Sequence, residues 1–259
     1  MKLIMIEGKD YFGSCLPESS EIIHLSWKDL AKCRLYIDEK KTVLSTDYFE
    51  IAFNQNTLMC VFSRKKFFEC YLKEKSQYYQ NSAWSAVIHY LGLHYPCINP
   101  LNPRNYSFSD AFYWTMWERA RCCGLDTPKW KYAKKTAQYE WMPTTLISKE
   151  EALGQFVTSK INHTVQFEII KDQIFWDDTN KDFILDKATY QRCLLLMNDY
   201  QWHMCCFTMG LCDGQWVFIS IEPTLYNKSF LDQKAQVLVN WLKSDNLLYI
   251  DSRLRPKLV

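Results

Sequence analysis

Three groups of residues place reactive or ligand-forming side chains close together. The first is His203-x-Cys205-Cys206 with Cys212 and Asp213, which holds the ligand types of a zinc site but no pair of cysteines spaced two apart. Adjacent residues of a strand point to opposite faces, so buried thiols packed as small hydrophobes are expected there instead of a metal. The second is a cysteine nucleophile with a histidine base, drawn from eleven cysteines and His24, His89, His94, His163 and His203. The sequence singles out no such pair, and His89 within a helical pattern reads as an ordinary helix residue. The third is an aromatic and basic cluster: Tyr113, Trp114, Trp117, Trp130, Tyr132, Tyr139 and Trp141 interleaved with Arg119, Arg121, Lys129, Lys131, Lys134 and Lys135. Over 113–121 helical spacing explains the aromatics as core. Over 129–141 no core period exists. Trp130 and Trp141 beside Lys134 and Lys135 therefore read as a partner-binding surface.

The chain of 259 residues is 48% hydrophobic and 23% charged, ordinary values for a folded globular protein, which excludes disordered, fibrous and coiled-coil classes. A formal charge of +2 gives no footprint for nucleic acid. No apolar run reaches the roughly 18 residues of a membrane span, and Leu3-Ile4-Met5-Ile6 is shorter than a signal-peptide core of about 7–15 residues. No membrane association and a cytoplasmic location are expected. The odd, scattered cysteines suit reduced thiols. Glycine is scarce, at 7 residues, while Tyr, Phe and Trp number 16, 15 and 10.

The elements that must position these residues follow from periodicity. Leu3–Ile6 and Ile22–Leu25 are short apolar runs of strand type; Asp47–Gln55 and Thr57–Ser63 form a third strand-like zone. Apolar residues from about 65 to 91 recur at three- and four-residue steps, predicting a long helix with Gly92 in the left-handed position after it. Residues 94–105, with Pro96, Pro100 and Pro103, read as a connector. A helix capped at Ser107 is predicted to run to Cys123, ended by Gly124. The signals fade over 126–148, which reads as a linker or irregular junction. Thr164–Ile170 and Gln173–Asp177 form a candidate hairpin around Lys171-Asp172, and Asp186–Asn198 has helical spacing. Trp202–Met209 and Gln215–Ile221 form the clearest hairpin, turning at Asp213-Gly214. Phe230–Leu242 returns to helical spacing, and the basic tail 251–259 reads as exposed.

Four motifs recur in a known order. Val61-Phe62-Ser63-Arg64-Lys65 leads, Ile98-Asn99-Pro100 follows, "ERARCCGLDTP" runs from Glu118 to Pro128, and "CDGQWVFISIEP" runs from Cys212 to Pro223. In this collinear order, spanning roughly 58–244, the sequence resembles the ATP-grasp ligases, in particular the ribosomal-protein glutamate ligases and the peptide-maturing ligases that form ω-ester and ω-amide crosslinks. The resemblance implies an α/β fold: an N-terminal open-sheet domain of pre-ATP-grasp type over 1–125, a linker or reduced clamp over 126–163, and a reduced α+β ATP-grasp-like domain over 164–259. It also implies an activity, in which a carboxylate is activated as an acyl phosphate and attacked by an amine or hydroxyl.

The residues depart from that pattern in two places. Triphosphate binding needs cations and a loop where backbone N–H groups approach phosphate oxygens closely, yet the clamp interval between Pro128 and Thr164 has Gly154 as its one glycine. The metal site of the family has an Asp on the first strand of the late hairpin and Glu-x-Asn on the second. Alignment on Asp213-Gly214 sets these at Phe207, Ser220 and Glu222, leaving Glu222 as the one carboxylate. The expectation is therefore a degenerate, ATP-grasp-like accessory protein without a cofactor, which binds a precursor peptide, an active ligase subunit or a second copy of itself. The alternative is a divergent ATP- and Mg-dependent ligase whose phosphates would be held by Arg104, Lys129, Lys131, Lys134 or Lys135.

Overall fold

The computed structural model describes residues 2–7, 12, 15–16, 22–30, 32–38, 41–54, 56–61, 87–88, 90–99, 113–128, 130–133, 155–158, 161–176, 183–223, 225 and 229–244. The chain divides into two compact units, one of 1–102 with 223–259 and one of 103–222. This partition differs from the expected boundaries at 125 and 163, because residues 103–125 belong with the late hairpins and the C-terminal segment returns to the first unit. Nothing local in the sequence marks that return.

In the first unit, β1 (Lys2–Glu7) lies between β2 (Ile22–Ser26) and β6 (Thr57–Val61), parallel to both. Leu3, Ile4, Met5 and Ile6 are all buried, as a central parallel strand requires. The connector at 96–98 continues this sheet. Met59 N–H donates to the Pro96 carbonyl at 2.9 Å and Ile98 N–H to the Met59 carbonyl at 2.8 Å, a parallel bridge between Met59 and Cys97. A short helix α1 (Trp27–Leu30) follows β2, started by Ser26 and Asp29, whose side chains bond to each other's backbone N–H.

Three short strands, β3 (Arg34–Ile37), β4 (Thr42–Ser45) and β5 (Glu50–Phe53), form a separate antiparallel sheet in that order. Most of the long helix predicted over 65–91 lies outside the described residues. Gly92 does not end it: residues 90–94 are helical, and Tyr95 N–H still donates to the Leu91 carbonyl at 2.8 Å.

The second unit is built on a four-stranded antiparallel sheet. Its order is β10 (Gln173–Trp176), β9 (Ile161–Ile170), β11 (Met204–Cys212) and β12 (Gln215–Glu222). Both predicted hairpins are present, turning at Lys171 and at Asp213-Gly214, where positive φ angles close the tight turns. Helices α2 (Tyr113–Cys122) and α3 (Lys187–Tyr200) contribute to one core with this sheet, in which Trp117, Leu196, Phe167, Phe207 and Phe218 are buried. The Phe167 and Phe207 rings stack at 5.3 Å. The core reading of Trp117 thus holds.

Among the described residues of the stretch read as irregular over 126–148, β7 (Trp130–Ala133) is a strand that pairs antiparallel with β8 (Gln155–Thr158). A sequence of alternating Lys and aromatic residues is compatible with a strand, and its partner lies more than twenty residues away, beyond any local signal. Helix α4 (Leu231–Lys243) closes the described chain, with Ala235, Leu238, Val239 and Trp241 buried. No described helix is long and apolar enough to cross a membrane.

Candidate functional site

The late hairpin sets the geometry of the site. Pairing runs regularly from Cys212–Gln215 to Met209–Phe218 and then slips, so that Thr208 faces Ser220, Phe207 faces Ile221 and Cys206 faces Glu222. This β-bulge leaves Ile219 as the extra residue, and it changes which side chains share a face. Phe207 was expected at the position of the first-strand metal ligand. It lies instead in the core with Phe167 and Phe218, on the face opposite Ser220 and Glu222. The first-strand residues beside those two are Thr208 and Cys206.

Strand β9 completes the face. It pairs Gln166 with Thr208 and Glu168 with Cys206, so two cross-strand rows form: Gln166, Thr208 and Ser220 in one, Glu168, Cys206 and Glu222 in the other. Gln166 Nε2 donates to Thr208 Oγ1 at 3.2 Å. Glu168 is 1% exposed and Ser220 2%, while Glu222 is half-buried. Among the described residues, Ser220 Oγ has no hydrogen-bond partner. Above and below these rows the same face is apolar. Phe175, Ile170 and Met204 lie toward one end, and Ile161, Val217 and Ile219 toward the other. Gly210 sits in the second apolar end because a Cβ there would lie 2.9 Å from Ile219 Cγ1 and 3.0 Å from Ile161 Cγ2.

Helix α2 holds β12 in place from its outer edge. Trp117 Nε1 donates to the Ile219 carbonyl at 2.8 Å, Ile221 N–H donates to Met116 Sδ at 3.3 Å, and Phe218 N–H donates to the Asp126 carbonyl at 2.7 Å. The backbone around the bulge is therefore pinned at residues 218, 219 and 221, by α2 and by Asp126 in the segment after it. Glu168 was missed by sequence reasoning. Its signal is the alternation of Gln166 and Glu168 with Val165, Phe167 and Ile169, which marks a polar second face on a strand of otherwise apolar character.

The other expected sites are placed as follows. Trp130 and Lys131 lie on β7, and Glu222 ends β12. Arg104, Lys129, Lys134, Lys135 and Trp141 lie outside the described residues. The cysteines and histidine of the first group do not converge, since Cys205 joins the helix-covered core and Cys206 the opposite face. Burial pushes the Cys205 thiol well up and the Cys193 thiol to about 12, so neither is a ready nucleophile. Burial, then the nearby Lys171 charge, lowers the His203 pKa and favours the neutral ring. No group of three or more His, Cys, Asp or Glu able to hold a metal exists among the described residues.

No protein-family model and no curated protein matches the sequence. Solved structures do match. The macrocyclase MdnC bound with precursor peptide MdnA, from Microcystis aeruginosa MRC, is similar at a TM-score of 0.64 and 12% identity, over 93% of this chain and 100% of that one. The ATP-grasp ligase PsnB complexed with minimal precursor is similar at 0.62 and 10%, over 93% and 99%. A RiPP-associated ATP-grasp ligase from Chryseobacterium gregarium, in complex with ADP and a leader and core peptide, is similar at 0.58 and 11%, over 93% and 97%. The chain thus shares the mixed α/β fold of the ATP-grasp ligases.

Proposed function

We propose that this chain is a peptide- or protein-binding accessory subunit of a peptide-modification system, built on the ATP-grasp fold and working without a nucleotide or metal of its own. Its partner is a precursor peptide, an active ligase or a second copy of the chain. Support for peptide binding comes from fold likeness to three proteins solved with peptides. The observation that carries the loss of catalysis is Ser220, a buried hydroxyl where the resembled family has a carboxylate, facing Thr208 instead of an acid.

The donor set fits magnesium poorly. Magnesium takes near-ideal octahedral oxygen ligands at roughly 2.0–2.1 Å. Here the two carboxylates of the row are two strand spacings apart at the backbone, about 10 Å, with the soft thiol of Cys206 between them. The second reading, a divergent ATP-dependent ligase, is favoured by Glu168, which restores a second carboxylate to the face of Glu222. Titration calorimetry with Mg·ATP separates the two. The accessory reading expects no binding in the micromolar range, and micromolar binding would favour the ligase.

A further inference from the structure

We propose that β3 (Arg34–Ile37) is a self-association edge, at which two copies of the chain join their three-stranded sheets by antiparallel pairing about Tyr36. The inference supplies a surface for one of the partners given above, the second copy, and stands whether or not the chain binds nucleotide.

The order β3-β4-β5 leaves β3 on an edge, paired with β4 alone among the described residues. Edge strands of monomers are commonly blunted by lysine, proline or a bulge. β3 has none of these, and its Tyr36 and Ile37 are 55% and 44% exposed. Leu35, Leu44 and Ile51 form one cross-strand row and Ile37, Thr42 and Phe53 the next, and all of β4 and β5 in these rows is buried. The apolar face therefore runs to the edge and stops there uncovered at Ile37.

Backbone phase decides which residues can pair outward. Asp38 N–H donates to the Lys41 carbonyl at 3.0 Å, and antiparallel pairs alternate between bonded and non-bonded. Arg34 and Tyr36 thus bond toward β4, while the N–H and C=O groups of Leu35 and Ile37 point to the open edge. A two-fold axis at Tyr36 matches Leu35 of each copy with Ile37 of the other, so both outward residues are used. An axis at Leu35 or at Ile37 keeps the phase but carries the other outward residue beyond the end of the partner's strand.

The side chains favour the same axis. Leu35 of each copy would lie beside Ile37 of the other, continuing the apolar rows across the junction, and Tyr36 would face its own copy. Arg34 would stand opposite Asp38 on both sides of the axis, and both residues are exposed. Each keeps an internal contact as well: Arg34 lies 3.7 Å from Asp47, and the Asp38 carboxylate accepts from Lys41 N–H at 2.8 Å. Arg-Leu-Tyr-Ile-Asp is its own complement when reversed, in charge and in apolar character. That property selects a second copy over an unrelated strand. A contact made by 34–38 of each copy is small beside the roughly 20–30 residues a side of a standard interface, so the dimer forms in the micromolar range.

The test is sedimentation velocity of the full chain, which should be mostly dimer at about 100 μM. Ile37→Pro removes an outward N–H without touching the bonds to β4 and should weaken dimerisation by about tenfold or more. Arg34→Asp and Asp38→Arg should each weaken it too, because each sets like charges opposite one another. Mixing these two single variants should restore the dimer, since every Asp then meets an Arg again. Circular dichroism confirms the fold of each variant. A monomer at about 100 μM, a dimer unchanged by folded Ile37→Pro, or no recovery on mixing would overturn the proposal. If any of these variants does not fold, Tyr36→Cys decides. The axis brings its Cα within about 4.5 Å of its own copy, inside disulfide reach, so mild oxidation should link two chains. No linked species beyond that of the parent chain would overturn the proposal. Mg·ATP titrated in parallel keeps the two claims apart: a dimer that binds Mg·ATP defeats the accessory reading alone, and a monomer that does not bind it defeats the β3 edge alone.

Discussion

Glu222 ends β12 half-buried, opposite Cys206 and in the same row as the fully buried Glu168. Its position at the rim limits what it can contribute to an accessory protein. Glu222→Gln should leave partner binding within about tenfold, because a partly solvated carboxylate is worth about 1 kcal/mol. Complete loss of an ATP-dependent activity with retained folding would instead assign it to catalysis. The place of Glu222 on the second strand of the hairpin was legible in the sequence because the Asp-Gly turn gives an anchor from which to count. Its neighbours were not, since counting from the turn sets Phe207 beside Ser220, and the bulge replaces it with Thr208. A single inserted residue reverses the face of everything beyond it. Period alone does not report such an insertion.

Both hairpins and the helix after Asp186 formed as read, and two features of that unit can be tested. Asp186 caps α3, its carboxylate accepting from the N–H groups of Ala188 and Thr189 and from the Thr189 hydroxyl. The Thr189 N–H bond, followed by its hydroxyl, holds the Asp186 carboxyl below its usual value of 3.8. A depressed folded pKa gives stability that is complete above the unfolded value and is lost as pH falls through the folded one. Asp186→Ala should therefore lower the melting temperature at pH 7 and flatten its decline between about pH 5 and 2, measured by thermal unfolding across pH. Gly210 tests the packing of the sheet. Gly210→Ala drives a methyl into Ile219 and Ile161 and should destabilise the fold by about 1–3 kcal/mol in denaturant unfolding. A neutral result would mean that the apolar end of this face is loosely packed. The strands the sequence hid share one cause. β3 and β4 are four residues each, with exposed Arg34, Tyr36 and Ile37 and little apolar alternation, and β7 finds its partner only at Gln155–Thr158. Short strands completed by distant partners carry too few residues to declare a period.

At the scale of the whole molecule, the two units are not contiguous in sequence, so the divisions expected at 125 and 163 miss the return of 223–259 to the first unit. The fold class was legible because collinear motifs and the two hairpins do not depend on that closure. The proposed partner surface around Trp130 and Trp141 belongs to this scale too. Trp130 begins β7, in a strand pair of only four residues a side. If these rings serve association, replacing both by Ala should weaken it by about 2 kcal/mol or more without lowering thermal stability. Unfolding of the double variant would place them in the core instead. The lysines between them should make association with an acidic partner faster at low salt.

The central claim is that the ATP-grasp fold here binds peptide or protein without binding nucleotide. Titration calorimetry of the full chain with Mg·ATP tests it most directly. The account predicts no saturable heat at micromolar to tens of micromolar nucleotide, in line with a buried hydroxyl at Ser220, the position that the resemblance assigns to a carboxylate. A saturable isotherm in that range, abolished by Glu222→Gln, would contradict it and establish the chain as a divergent ligase.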